Sequence, residues 1–557
     1  RVRSPWPYRA TPRALRDPGI VQDLVGEGRS AYGRAAWAEA HRCLSRVEID
    51  ELEPDDLQRL GMAGYLIGQD ESAERAMALA HQAWSEAGDP HRAARAAFWL
   101  GLMHIDRDAF AQASGWFARG QRIVEGLGEC AEQGLMLVPV GVHVMRSGDP
   151  TAALPLFRDA GEVGQRFQDH DLCSLARLGE GQALVQLART EEGMRLLDEV
   201  MVGIVANESS PLVTGLLYCA VIETCQQVLD LRRSSEWTEA LSDWCVAQPD
   251  LRAHRGRCLV HRAEVLRYFG AWGEALVDLE RARAALGDLQ RPAVRAACYE
   301  LGELHRLRGE LDAAEEAYFE ASRRGHDPRP GLSLLRLLQG RTEEAWSSLV
   351  GQPGASGPGH QAELLAATVE VALVSGRLDE ARSAADQLGD TARRCGTDHL
   401  HALACLSAGR ILLAGGDAAG ACDPLRASVQ TWQRIEVPLE AARARASFGA
   451  ARLALGDGET AALEFDAARR VFLALGARPD LSALEQLAGP GADPLLTQRE
   501  IEVLGHAARG LTNGEIAQTL HLSPHTVRRH LQNVFTKLGV STRTAAAAVA
   551  RERGLLR

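Results

Sequence analysis

One spacing recurs along most of this chain: a glycine is followed, five positions later, by an alanine, and successive copies mostly lie 35–40 residues apart. Glycine tolerates the positive φ at which the chain reverses between two helices, and alanine lets two helix axes approach closely. No single helix pair can bury its apolar face alone, so the pairs must stack. The pattern occurs at Gly33 with Ala38, Gly68 with Ala73, Gly148 with Ala153, Gly270 with Ala275, Gly309 with Ala314, Gly340 with Ala345, Gly376 with Ala381, Gly416 with Ala421 and Gly456 with Ala461.

Three degenerate copies complete a set of twelve predicted units: Asp108 with Ala113, Ala188 with Gly193, and Ser235 with Ala240. A second glycine precedes the turn position by seven residues in many units, where a small residue suits a close helix crossing. These second glycines are Gly26, Gly61, Gly141, Gly302, Gly409 and Gly449.

The repeat resembles the tetratricopeptide family over roughly Leu24 to Leu487. Its units are longer than the usual repeat of about 34 residues. Longer units of this kind resemble the sensor arrays of large bacterial LuxR-type regulators. The resemblance implies a helical solenoid that senses a small molecule or a protein partner.

The charge of the chain is divided unevenly. From Pro494 to Arg557 there are 9 basic and 4 acidic side chains, a net charge of +5, whereas the preceding residues carry −17. An acidic body with a basic tail suggests that the tail binds a polyanion.

Composition argues against several classes of protein. The chain has one lysine, Lys537, which follows no glycine-rich loop, and no nucleophile-elbow or zinc-protease motif is present. We therefore predict no catalytic residues and no enzymatic activity. The 11 cysteines form no C-x-x-C pair, and the longest apolar stretch, Pro211 to Ile222, is too short for a membrane span of about 20 residues. We predict a cytoplasmic protein without contact to a membrane.

Two groupings of histidine and cysteine raise the possibility of a metal site. They are His254, Cys258 and His261, and a second set of His399, His401 and Cys405. Neither has the closely paired ligands typical of structural zinc, so both are interpreted as core or groove residues. The sequence predicts no metal and no cofactor.

The C-terminal residues carry three helix-start signals. Thr497 with Glu500 and Thr512 with Glu515 have capping-box spacing, and Ser523 precedes a proline. They predict helices at about 498–509, 513–520, 524–538 and 542–553, with Gly510 and Gly539 ending the first and third. The third helix has an apolar stripe of Val527, Leu531, Val534 and Leu538. With the second helix it predicts a helix-turn-helix whose third helix enters a major groove.

The segments LTQREIEVL, GLTNGEIA, LSPHTVRRHLQNV and KLGVSTRT resemble the LuxR-type helix-turn-helix family over residues 495–553. The resemblance implies that Arg528, Arg529 and Gln532 face base edges, since arginine suits guanine and glutamine suits adenine. Arg529 departs from the smaller or polar residue found in many members. Residues implied as phosphate contacts are Thr512, Asn513, Ser523, His525, Thr526 and Lys537, and those implied for dimerisation by the fourth helix are Ala545, Ala548 and Val549.

The predicted fold is all-α, a tetratricopeptide-like solenoid followed by a four-helix LuxR-type domain. The predicted segments are a disordered basic tail at 1–20, repeats at 21–350, a flexible break at 351–359, repeats at 360–486, a linker at 487–494 and the DNA-binding domain at 495–557.

Three functional hypotheses follow from this organisation. The first is a bacterial transcription regulator that binds operator DNA as a homodimer, contacts RNA polymerase, and is controlled by an effector on the array. Docking of the C-terminal domain on the array is expected to hide the third helix. The second is a protein-interaction scaffold localised on DNA. The third, suggested by the missing initiator methionine, is the C-terminal part of a larger ATP-dependent LuxR-type regulator.

Overall fold

A computed structural model describes residues 18–248, 250–252, 255–286, 292–350, 357–488, 496, 498–552 and 555–556. Across these ranges the chain forms α-helices and one short 3-10 turn, and no strand occurs. The all-α prediction is confirmed.

Twelve successive helix pairs form the array, as the repeat predicts. They are α1 (Pro18–Gly33) with α2 (Trp37–Leu44), α3 (Pro54–Leu66) with α4 (Asp70–Ala87), α5 (Pro90–Ile105) with α6 (Phe110–Val124), α7 (Ala131–Arg146) with α8 (Pro150–Phe167), α9 (His170–Gln186) with α10 (Thr190–Val205), α11 (Pro211–Gln227) with α12 (Leu231–Ala247), α13 (Arg255–Tyr268) with α14 (Trp272–Leu286), α15 (Pro292–Arg308) with α16 (Leu311–Arg323), α17 (Gly331–Leu338) with α18 (Thr342–Leu349), α19 (Pro358–Val374) with α20 (Leu378–Cys395), α21 (Asp398–Ala414) with α22 (Ala418–Arg434), and α23 (Pro438–Ala454) with α24 (Gly458–Leu475).

Five further helices follow the pairs. They are α25 (Arg478–Ala488), α26 (Gln498–Ala508), α27 (Asn513–Thr519), α28 (Pro524–Leu538) and α29 (Arg543–Glu552).

The predicted turn residues have the expected backbone conformation in ten of the twelve units. Each has a positive φ, from 57° at Asp108 to 92° at Gly148, and the small residue five positions later is buried. Positive φ reverses the chain, and the small side chain allows the second helix to pack closely on the first.

The predicted register is wrong in the first unit. The positive φ of 58° belongs to Ala35 rather than Gly33, and the buried alanine is Ala40, whereas Ala38 is exposed. The close approach accordingly involves Gly28, where an added Cβ would lie 2.7 Å from Leu44 Cγ. Packing requirements set the turn two residues later than the glycine suggests, at the modest cost of a non-glycine residue in the left-handed region.

The sixth unit also departs from the prediction. Leu229 takes the positive φ of 54°, and Ser234 occupies the buried small position with no measurable exposure. Ser235 and Ala240, which the sequence suggested, both lie inside α12. Leucine is not a typical turn residue, so the sequence predicts the turn at Ser235, six residues after its observed position at Leu229.

The second glycines meet the large residue that lies 16 positions later. An added Cβ would lie 2.7 Å from Phe157 at Gly141, 2.6 Å from Tyr318 at Gly302, and 2.8 Å from Phe465 at Gly449. At Gly26 nothing lies within 4 Å, which agrees with the shifted register of the first unit. These glycines therefore allow an aromatic side chain of the second helix to fill the space between the axes.

Several predicted boundaries move. Residues 18–20 of the predicted tail belong to α1, Pro358 and Gly359 of the predicted break begin α19, and the linker residues 487–488 are in α25. Residues 1–17, 351–356 and 489–495 lie outside the described residues. None of the described helices combines the length and apolarity needed to cross a membrane.

The chain divides into two compact units. The first contains α1 to α20 apart from 307–309, the beginning of α21, and residues 434–437. The second contains 307–309, the rest of α21, and α22 to α29, so the last repeats and the C-terminal helices belong to one unit.

Candidate nucleic-acid interface

Helices α26 to α29 enclose two small apolar cores. One is built from Leu496, Leu504, Val534, Leu538, Ala546 and Ala550, and the other from Val503, Ala507, Ile516, Ala517, Val527 and Leu531. Because α28 contributes to both cores, its orientation is fixed by burial along its whole length.

Helices α27 and α28 each begin with a side-chain cap, and the connection between them is short. Thr512 and Glu515 form the predicted capping box, whose backbone hydrogen bond lowers the pKa of the Glu515 carboxyl group. His521 has a φ of 54° in the turn, and the Ser523 hydroxyl accepts a hydrogen bond of 3.0 Å from the Thr526 backbone N–H. Helices α26 and α28 are followed by Gly510 and Gly539, both with positive φ, as predicted. Thr497 of the other predicted capping box lies outside the described residues.

The two faces of α28 differ as the sequence predicts. Val527, Leu531, Val534 and Leu538 are buried. Arg528, Arg529 and Gln532, the predicted base-reading residues, are all exposed. The structure therefore brings these three side chains together on an open helical face backed by an apolar core.

The predicted phosphate-contacting residues have different surroundings. Thr512 and Ser523 are exposed, but each hydroxyl also caps a helix, and His525 is exposed at the start of α28. Thr526 is half-buried and its hydroxyl lies 2.8 Å from that of Ser523. Asn513 Oδ1 accepts a hydrogen bond from Arg543, which ties α27 to α29.

Lys537 does not lie on the open face. Its ammonium donates to Glu500 Oε2 at 2.8 Å and to Asp466 of α24, and the lysine side chain is 18% exposed. In this arrangement the Lys537 ammonium is paired with two carboxylates, whereas the sequence predicted that it contacts a DNA phosphate. The sequence did not indicate this contact, because Asp466 is one acidic residue among many on the repeat helices.

A second contact joins the same two helices. His530 Nε2 lies 3.9 Å from Glu459 Oε1, and burial lowers the pKa of His530. Glu459 and Asp466 are seven residues apart on α24, as are His530 and Lys537 on α28, which corresponds to about two helical turns. The two helices therefore lie side by side, and the exposed residues Arg528, Arg529 and Gln532 remain outside this contact.

The fourth helix leaves part of its surface open. Of the residues predicted for dimerisation, Ala548 is exposed, whereas Ala545 and Val549 are half-buried. The neighbouring Ala546 and Ala550 pack into the core.

The two groupings of histidine and cysteine differ in their contacts, with members of the first contacting residues outside it and two members of the second contacting each other. Cys258 lies 3.5 Å from the Ser242 hydroxyl, and His261 Nδ1 lies 3.1 Å from Gln226. Cys405 Sγ is 3.6 Å from His401 Nε2, and His399 packs edge-on against Tyr268. His254 lies outside the described residues.

Comparison with known proteins identifies the C-terminal helices. The sequence pattern of the family described as "Bacterial regulatory proteins, luxR family" matches residues 494–550. The chain is 45% identical over 73 residues to the probable transcriptional regulatory protein NarL of Mycobacterium tuberculosis, which covers 13% of this chain and 33% of that protein. It is 43% identical over 63 residues to the nitrate/nitrite response regulator protein NarP of Escherichia coli, or 11% of this chain and 29% of that protein. The match thus spans about a third of each relative.

Solved helical proteins are similar to much of the chain at low sequence identity. The match to a Rap protein complexed with competence and sporulation factor covers 72% of this chain and 99% of the Rap chain, with 11% sequence identity and a TM-score of 0.37. The Cut9–Hcn1 hetero-tetramer structure covers 85% of this chain and 97% of its own, with 10% identity and a TM-score of 0.35. The repeat assignment rests on the twelve helix pairs themselves. The helix-turn-helix geometry and the family match together identify the C-terminal domain as a LuxR-type helix-turn-helix domain.

Proposed function

We propose that this protein is a bacterial transcription regulator that reads operator DNA with α28. The observation that carries the proposal is the exposed face of Arg528, Arg529 and Gln532 on a helix whose opposite face is buried. An α-helix fits the major groove, where arginine pairs with guanine and glutamine with adenine through two hydrogen bonds each. The exposed hydroxyls of Thr512 and Ser523, with His525, lie near the start of α27 and α28 and are suited to phosphate oxygens.

The proposal includes a homodimer formed through α29. Ala548 supplies an exposed small residue, flanked by the half-buried Ala545 and Val549, so that a second copy of the helix can approach closely. A two-fold dimer reads two half-sites about one helical turn of DNA apart, roughly 34–36 Å. The operator is then expected to be a palindrome.

The array is proposed to sense a small molecule or a protein partner and to control DNA binding. Its last helix pair holds Lys537, a residue implied in phosphate contact, through Asp466. Control of this kind does not require that α28 be covered, because its base-reading side chains stay exposed in the arrangement described. The proposal assigns the chain a cytoplasmic location, contact with RNA polymerase, and no catalytic activity or membrane contact.

Selection from random double-stranded DNA tests the proposal. The purified chain is compared with the double variant Arg528→Ala/Arg529→Ala. We expect the wild type to enrich a palindromic sequence and the double variant to lose that enrichment. The reason is that each arginine–guanine pair with two hydrogen bonds contributes about 1–3 kcal/mol of base discrimination. Asn533→Ala, a half-buried neighbour on α28, is the matched control and should retain enrichment of the same sequence. Equal enrichment by the wild type and the double variant would contradict the assigned reading face.

A further inference from the structure

Three side chains that can bind a metal converge where consecutive helix pairs of the first unit adjoin. His91 lies in the first turn of α5, Cys130 directly precedes α7, and Glu132 lies in the first turn of α7. One nitrogen, sulfur or oxygen atom from each lies within 4.8 Å of the other two. The 41-residue separation of His91 and Glu132 corresponds to about one repeat, so the solenoid itself brings them together.

The Glu132 carboxylate is held in a defined orientation. Its Oε1 accepts hydrogen bonds from Arg95 Nε at 3.1 Å and from Nη2 at 2.9 Å, and Oε2 lies 3.0 Å from His91 Nδ1. Arg95 is fixed in turn by Asp169, at 2.6 Å. Carboxylates that bind metals are usually oriented by such hydrogen bonds from a second group. The arginine therefore occupies one oxygen and leaves the other directed toward His91.

The surroundings favour a cation. The three side chains line an open pocket of about 680 Å³, and the His91 side chain is 52% exposed, so the site is accessible from solvent. Cys130 is 4% exposed and forms the inner wall. The Arg95 guanidinium lines the pocket together with five carboxylates, those of Glu129, Glu132, Asp169, Asp171 and Glu208. Glu129 is paired with Arg166 at 2.8 Å, so two guanidinium groups stand against five carboxylates.

We propose that His91, Cys130 and Glu132 bind a zinc ion. A sulfur, a nitrogen and an oxygen donor together suit Zn²⁺, whereas Ca²⁺ and Mg²⁺ prefer oxygen alone. Tetrahedral zinc with bonds of roughly 2.0–2.3 Å places its donors roughly 3.3–3.8 Å apart. From separations of at most 4.8 Å, the donors need to approach by at most about 1.5 Å.

Binding is balanced in charge and protons. The Cys130 thiol releases its proton to solvent and forms the sulfur–zinc bond. Bonds from His91 Nδ1 and Glu132 Oε2 to the metal replace the contact between those two atoms. The Nδ1 proton that His91 donates to Glu132 passes to Nε2 through solvent, so the ring stays neutral and Nδ1 is free to bind the metal. One thiolate and one carboxylate neutralise the two charges of the ion, and the fourth coordination position opens toward the pocket. The ion would join α5 to α7 and so fasten two consecutive repeats.

Cobalt binding tests the site directly, because Co²⁺ takes the place of zinc and reports a bound thiolate by a charge-transfer absorption band. The full chain is reduced, titrated with Co²⁺, and then with Zn²⁺ in competition with a chromophoric chelator. We expect one equivalent of metal per chain, a thiolate band with Co²⁺, and displacement of that band by Zn²⁺.

Variants assign the band to these residues. His91→Ala changes a half-exposed side chain and should fold normally, which thermal unfolding without metal checks. His91→Ala and Cys130→Ser should each lower zinc affinity by at least about 10-fold, because even the loss of a group that only orients a ligand typically costs about 10- to 100-fold. Cys173→Ser, at a half-buried cysteine outside the cluster, is the matched control and should bind like the wild type. No thiolate band in the wild type, or equal zinc affinity in the wild type and both site variants, would overturn the proposal. DNA binding is a separate readout, so failure here leaves the regulator proposal unaffected.

Discussion

At Gly449 the space available for a side chain is set by one aromatic ring. A Cβ built at this position would lie 2.8 Å from Phe465 Cε1 and 3.3 Å from the Ala461 carbonyl oxygen, closer than carbon atoms normally pack. The same arrangement recurs at Gly141 with Phe157 and at Gly302 with Tyr318. Each glycine is thus required by the helix crossing of its own repeat.

Gly449→Ala is expected to destabilise the protein by about 1–3 kcal/mol, because the added methyl group overpacks the crossing. The measurement is chemical denaturation followed by helical circular dichroism. Gly458→Ala is the matched control, since Gly458 is also helical but nothing lies within 4 Å of its Cβ position. The control should be neutral or slightly stabilising, because alanine has the higher helix propensity. Similar unfolding curves for the two variants would contradict this explanation of the glycine register.

The sequence predicted this register by its spacing but could not predict every position. The first unit has glycines at both Gly26 and Gly28, and only Gly28 faces a residue of the second helix. Choosing between them requires knowing that Ala35 accepts a positive φ, which an alanine does not signal.

Four helices of the first unit bring charged side chains together. Glu223 of α11, Glu264 of α13, Glu300 of α15 and Glu363 of α19 interact electrostatically, and the Arg267 guanidinium donates to Glu300 at 2.7 Å. Burial, followed by the charge of Glu300, raises the pKa of Glu264 to about 8. Arg267 opposes this rise, and Glu363 and Glu223 add to it.

This raised pKa predicts how stability depends on pH. Between its ordinary pKa of 4.5 and the folded value of about 8, Glu264 binds more protons in the folded than in the unfolded chain. Glu264 therefore lowers the free energy of unfolding progressively as pH rises through this window, which destabilises the folded chain. Glu264→Gln should raise the midpoint of thermal unfolding relative to the wild type at pH 8–9, and little at pH 5.

The matched control is Glu71→Gln, at an exposed glutamate of α4. It removes the same charge from the surface and should show no comparable pH-dependent gain. If Glu264→Gln and the wild type kept a constant difference from pH 5 to pH 9, the electrostatic interpretation would be wrong. Such a cluster is beyond sequence reasoning, because its members come from four helices spread over 141 residues.

Contacts between the last repeat helices and the C-terminal domain offer a route by which the array could control DNA binding. The contact of Lys537 with Asp466, supported by that of His530 with Glu459, joins α28 to α24 within the second unit. The Asp466 carboxylate competes with a DNA phosphate for the Lys537 ammonium, because both are anions that accept its N–H groups. Breaking the pair should therefore favour DNA binding, by the population shift that a differential contact produces.

Asp466→Asn is expected to raise the DNA affinity of the full chain by roughly 3- to 10-fold, the size expected for one ion pair of about 1 kcal/mol. Fluorescence anisotropy with the selected operator measures the change at fixed salt. Glu464→Gln is the matched control on the same helix, because Glu464 pairs with Arg445 at 2.6 Å and not with the DNA-binding domain. Unchanged affinity in Asp466→Asn would refute control through this contact and favour a scaffold that DNA binding merely localises.

Local patterns in the sequence predicted the twelve helix pairs, the capped helix-turn-helix and the exposed face of Arg528, Arg529 and Gln532. Turn glycines, caps and apolar periodicity act within one repeat or one helix, so a local pattern is sufficient to specify them. The contacts of Lys537 with Asp466 and of His91 with Cys130 and Glu132 became apparent only in the folded arrangement. These contacts depend on the rotation and stacking of helices that are distant in the chain, and a charged or polar residue on a helix surface carries no mark of the partner that packing will bring to it.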